Sequence, residues 1–88
     1  MKLHKITSYE NAKGEQRIML TAVDETPMLG GLATAKMFGK LYLPVGVKLE
    51  DVEVKFNVGD ELPGVKFGEK YVDSETGETE NFHRIIPE

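Results

Sequence analysis

Apolar and polar residues alternate along much of this chain, and the alternation has a period of two. It is strictest over residues 51–58, where Val52, Val54, Phe56 and Val58 are separated by charged or polar side chains. That is the pattern of a strand with one buried face. Residues 16–23 place Ile18, Leu20 and Ala22 on one face and Arg17, Met19, Thr21 and Val23 on the other. Weaker versions run through residues 2–9, 35–43, 64–72 and 79–86. Six strands near 2–9, 16–23, 35–43, 51–58, 64–72 and 79–86 are therefore predicted. Ile18, Leu20, Leu41, Leu43, Val52, Val54, Phe56, Val58, Val65 and Phe67 form the expected core, and the apolar neighbours of Phe82 place it inside as well.

Nine glycines and four prolines punctuate the chain and leave few windows for a three-turn helix. Asn11 to Gly14 reads as a hairpin turn, because Asn and Gly tolerate positive φ. Gly77 suits the left-handed position in a second hairpin, over residues 73–78. Gly39 interrupts its strand and marks a bulge or a close backbone approach. A single helical turn fits between Pro44 and Asp51. Residues 27–36 read as a loop, since Gly30-Gly31 disfavours a helix. That loop carries Met28, Leu29 and Leu32, so it either covers the core or offers a contact surface. Frequent turns and short strands predict a mainly β fold: a small five- to six-stranded barrel of the oligonucleotide/oligosaccharide-binding (OB) type, with an SH3-like barrel as the alternative.

At 88 residues the chain is long enough for one domain, 1–88, and too short for two cores. No run of about 18 apolar residues is present, so no membrane span is expected. The first residues lack the apolar stretch of a signal peptide, which predicts a cytoplasmic protein. Cysteine is absent, excluding thiolate metal sites, disulfides and thiol catalysis. The net charge of −4 hides an asymmetry. Residues 1–48 carry seven bases and four acids, a net of +3, and residues 49–88 carry four bases and eleven acids, a net of −7. Such a division can set a basic binding face against an acidic one.

Catalytic chemistry finds little support. His4 and His83 read as two unrelated histidines. The oxygen-rich loop 73–78 is half the length of a helix-loop-helix calcium site and reads as a plain turn. Gly30-Gly31 lacks the residues of a phosphate cradle, and no hydrolase or metalloprotease motif occurs. The expectation is a non-enzyme with no cofactor and no metal. Binding is better supported. Tyr42 alternates with Leu41 and Leu43, so it faces away from them on the side of Lys40. Tyr9 shares a face with Lys5. Rings beside ammonium groups on strands are the parts of a single-strand nucleic-acid platform.

In its length, its all-β pattern and the early hairpin Ser8-Tyr9-Glu10-Asn11-Ala12-Lys13-Gly14, the chain resembles small phage single-stranded DNA-binding proteins of the filamentous-phage helix-destabilising type. The resemblance implies a dimeric five-stranded barrel that coats DNA in the host cytoplasm. The positions it implies for contact are Lys13 and Arg17 in the first hairpin and Lys40 and Tyr42 on the third strand. With Tyr9 and Lys36 added from the basic half, the expected nucleic-acid contacts are Tyr9, Lys13, Arg17, Lys36, Lys40 and Tyr42. The expected partner is single-stranded DNA or RNA, bound without sequence preference, with the acidic segment 73–80 away from it. Met28, Leu29 and Leu32 are the expected homodimer contact. The alternative is a small protein-binding module or inhibitor, phage- or plasmid-borne, using that apolar loop and the acidic second half.

Overall fold

Two antiparallel hairpins sharing a strand begin the fold. β1 (Lys2–Glu10) pairs with β2 (Gln16–Met28), which pairs with β3 (Ala33–Tyr42). The β1–β2 turn is closed by Asn11, whose Oδ1 accepts from the backbone N–H groups of Lys13 (3.0 Å) and Glu15 (2.9 Å), while Gly14 takes φ +79°. A helix, α1 (Leu49–Lys55), follows, and then β4 (Val65–Val72) and β5 (Thr79–Pro87). The computed structural model describes residues 1–72, 76–77 and 79–88, with only the backbone at 79 and 80. The segment 73–80, expected to lie away from nucleic acid, thus falls largely outside the described residues. The expected left-handed glycine is seen in Gly77, at φ +74°.

The five strands form one mixed sheet in the order β1-β2-β3-β5-β4, with β3 and β5 parallel and the other pairs antiparallel. The fold is mainly β, and a sheet of this kind is consistent with an OB-like or SH3-like domain. It is not closed. β1 meets the last part of the chain through the residues before β4: the Leu3 N–H donates to Asp60 O (2.8 Å), and the Gly59 N–H donates to Leu3 O (2.7 Å). One isolated bridge, Lys2 to Glu61, adds to these.

Leu3, Ile18, Leu20 and Val52 form the central cluster, with Ile6, Leu41, Leu43, Val47, Phe56 and Leu62 half-buried or packed at its margin. Ala22 and Ile85 are also buried. Gly39 answers to the close-approach reading: a Cβ there would lie 2.6 Å from Phe67 Cε1 and 2.9 Å from Ile85 Cγ1. The β2–β3 register runs through it without a bulge.

Three expectations are corrected. Residues 51–58 are not a strand, so the described residues hold five strands and not six. Val52 remains buried and Phe56 packs on the core, but Val54 is 85% exposed and Val58 65%. The helix wins because Leu49, Val52 and Phe56 also fall at i, i+3 and i+7, a helical stripe. Glu50 and Asp51 in the first turn and Lys55 in the last match the helix dipole. Second, residues 27–36 are not a loop. β2 and β3 continue to the pair Met28–Ala33, leaving a tight turn at Leu29–Gly31. Third, Phe82 lies outside the core, on the opposite face of the sheet.

The extended hairpin shapes the molecule. β1 pairing stops at Val23 and β5 pairing stops at Phe38. Residues 24–28 and 33–37 therefore pair only with each other, an arm of about 17 Å. The radius of gyration is 14.5 Å, against about 12 Å for a compact chain of this length.

Candidate nucleic-acid interface

The face of the sheet turned away from the core is built in rows, each running across neighbouring strands. The register aligns Lys5, Thr21, Lys40 and Arg84 on β1, β2, β3 and β5. On one side lies the row Val23, Phe38 and Phe82, and on the other Thr7, Met19 and Tyr42, followed by Tyr9 and Arg17. Neighbouring rows are two residues apart along each strand, roughly 7 Å. A cationic row is thus flanked by aromatic ones.

A bulge in β1 between Leu3 and Lys5 supplies one member of this face. Strict alternation would put Leu3 and Lys5 on the same side. The extra residue lets Leu3 and Ile6 both reach the core while His4 and Lys5 both face outward. The His4 ring then meets Phe38 edge-on at 5.5 Å, and Phe38 meets Phe82 at 6.4 Å. With Lys5, Met19, Thr21 and Lys40 these rings line an open cavity of about 340 Å³.

The second group of rings contains every tyrosine in the chain. Tyr42 lies 6.1 Å from Tyr9 and 6.1 Å from Tyr71, both edge-on. Tyr9 and Tyr42 stand on strands separated by β2, so their side chains lean together across it. Burial pushes the Tyr71 phenol above its usual pKa, partly offset by the Arg84 guanidinium, with a small further rise from Tyr9. At neutral pH Tyr71 is therefore an uncharged ring with a hydroxyl to donate.

The cations sit directly against the rings. Lys40 Nζ lies 3.9 Å from the centroid of Phe82, and the Arg84 guanidinium carbon lies 5.2 Å from that of Tyr71. Among the described residues no carboxylate is ion-paired with Lys5, Lys40 or Arg84. Three positive charges on one face, with no carboxylate against them among the described residues, make an anion-attracting surface with flat apolar walls.

The expected site residues divide. Tyr9, Lys40 and Tyr42 come together on this face. Arg17 stands at its edge, where Nε and Nη2 both donate to the Leu43 carbonyl (3.2 and 2.6 Å) and pin the end of β3 to β2. Lys13 lies apart in the β1–β2 turn. Lys36 lies out on the arm and is paired with Glu25 at 3.7 Å. Met28, Leu29 and Leu32 are exposed at the tip of the arm. Sequence reasoning set Lys5 beside Tyr9 without counting it as a contact, and missed His4, Phe38, Tyr71, Phe82 and Arg84 as members of the site. Alternation with Gly39 and Leu41 could have placed Phe38; the others depend on the bulges and on the β3–β5 pairing.

His83 is structural. Its Nδ1 hydrogen-bonds with the Gly68 carbonyl (2.9 Å) and its ring tilts against Phe67, on the core side. The two histidines therefore lie on opposite faces. Among the described residues no three His, Cys, Asp or Glu side chains converge as a metal site, and no helix is long and apolar enough to cross a membrane. Comparison with known proteins yields no match to a family model, a curated protein or a solved structure.

Proposed function

We propose that this protein binds single-stranded nucleic acid, DNA in the first instance, without sequence preference and without catalysis. The observation that carries the reading is the cationic row Lys5, Lys40 and Arg84 lying between two groups of aromatic rings on one sheet face. Single strands expose alternating phosphates and flat bases, and this face offers charge and rings in the same alternation. Every base has a face that can stack, so such a platform is tolerant of sequence. Duplex DNA hides those faces and binds more weakly here. The resemblance to phage single-stranded DNA-binding proteins points the same way.

The three tyrosines supply a direct readout. The chain has no tryptophan, so its intrinsic fluorescence arises from Tyr9, Tyr42 and Tyr71, all in one cluster. Titration with oligo-dT at about 50 mM salt should quench that emission, and raising the salt to about 200 mM should weaken binding. With Lys5, Lys40 and Arg84 meeting phosphates, the slope of log K against log salt should be near −2, at about −0.7 per contact on a single strand. An unchanged emission at tens of micromolar protein would refute the proposal. The apolar arm and a protein partner would then become the leading reading.

A further inference from the structure

Two apolar features stand open to solvent among the described residues. The first is the arm tip. Leu29 is 74% exposed and Leu32 is 89% exposed, with Met28 beside them. Leu29 is held at φ +52°, a costly conformation for a branched side chain, ahead of two further left-handed residues, Gly30 and Gly31. The turn thus presents leucines to solvent at the end of an arm that is itself unsupported. The second feature is an open groove of about 180 Å³ between α1 and the sheet, walled by Leu20, Leu43, Val47, Val52 and Phe56. Exposed Asp51 and Lys55 also border it.

We propose that the arm tip of one copy docks into the α1 groove of a second copy. The arm cannot fill its own groove. Met28 lies eight residues from Leu20 along the same hydrogen-bonded strand, roughly 27 Å. The surfaces match in chemistry. Apolar side chains meet an apolar trough, and the Glu25–Lys36 pair behind the tip faces the acid and base at the groove, Asp51 and Lys55. Each copy offers a tip to one neighbour and a groove to another. The contact is heterologous, and it propagates as a chain unless the rotation closes a ring. This differs from the symmetric dimer expected from Met28, Leu29 and Leu32 alone. A contact this small, below about 1,000 Å² in total, is weak in free solution. Copies held on one strand would be coupled by their local concentration. Only that last gain rests on the proposed nucleic-acid binding; self-association does not.

Complementary variants test the geometry. L29D/L32D spoils the tip at two exposed positions, and Val47→Phe fills the groove from its own side. Lys55→Glu, at an exposed border position, serves as the groove variant if Val47→Phe does not fold. In sedimentation velocity at about 1 mM, the range for weak contacts, the wild type should exceed twice its 9.8 kDa mass. Each variant alone should remain near 9.8 kDa. An equimolar mixture of tip and groove variants retains one good interface and should form pairs and nothing larger. A wild type that stays monomeric, variants that associate like the wild type, or a mixture that fails to pair would each overturn the proposal. All variants should still quench with a short oligo-dT. Loss of that quenching in the wild type would count against the nucleic-acid reading and leave the association result standing.

Discussion

Gly39 occupies the point where β3 crosses the Phe67 and Ile85 side chains. Its missing Cβ is what allows those two residues to pack, so Gly39→Ala should lower stability by about 1–3 kcal/mol, the range for overpacking a core. A thermal melt equal to wild type would contradict that. On the other face, Tyr42→Ala should weaken oligo-dT binding about tenfold, since a stacked base contributes roughly 1–3 kcal/mol. Lys40→Ala should reduce the salt slope by about 0.7 by removing one phosphate contact. Tyr71 carries a pH signature. Its folded pKa lies above the unfolded value of 10.0, so the folded state holds the proton more tightly. That contribution is full below pH 10 and is lost as pH rises through the raised value. Thermal melts at neutral pH and at about pH 11 should therefore show Tyr71→Phe losing less stability than wild type. Alternation sufficed to orient Tyr42, Lys40 and Tyr9. It failed at His4, which a bulge turns outward. At Phe82 the apolar neighbours misled instead, since Phe82 faces Lys40, on the side opposite buried Ile85.

At the scale of elements, the segment around α1 shows why a strict pattern can mislead. Val52, Val54, Phe56 and Val58 satisfy period two, while Leu49, Val52 and Phe56 satisfy the helical period, and both readings bury Val52 and Phe56. The two readings part at Val54. In the helix it is exposed, so Val54→Asp should change stability by no more than about 0.5 kcal/mol. A strand with Val54 in the core would be destabilised severely, and denaturant unfolding separates the two outcomes. The hairpin β2–β3 carries the converse lesson. Gly30-Gly31 was legible as a turn, but the strands were expected to end well before it. Thr26, Thr34 and Ala35 in the arm bury nothing, so no period marked them as paired.

Over the whole molecule, the division into a basic and an acidic half does not map onto two faces. The platform takes Lys5, Lys40 and Tyr42 from the first half and Tyr71, Phe82 and Arg84 from the second, brought together by the parallel β3–β5 pairing. Pairing of distant strands leaves no local signal, so half of the site was invisible to a reading that moved along the chain. Much of the acidic charge lies elsewhere, with Glu50, Asp51 and Glu53 on α1, away from the cationic row. A protein of net charge −4 can therefore still present an anion-attracting surface. The arm lengthens the molecule without adding to its core, which fits a role in contacts between copies. The most direct measurement is a backbone amide NMR titration of the full chain with a short oligo-dT. Binding at this face predicts shifts concentrated at Lys5, Tyr9, residues 38–42, Tyr71 and residues 82–84, with α1 unmoved. Shifts centred on α1 or on the arm tip, or no shifts at all, would contradict it.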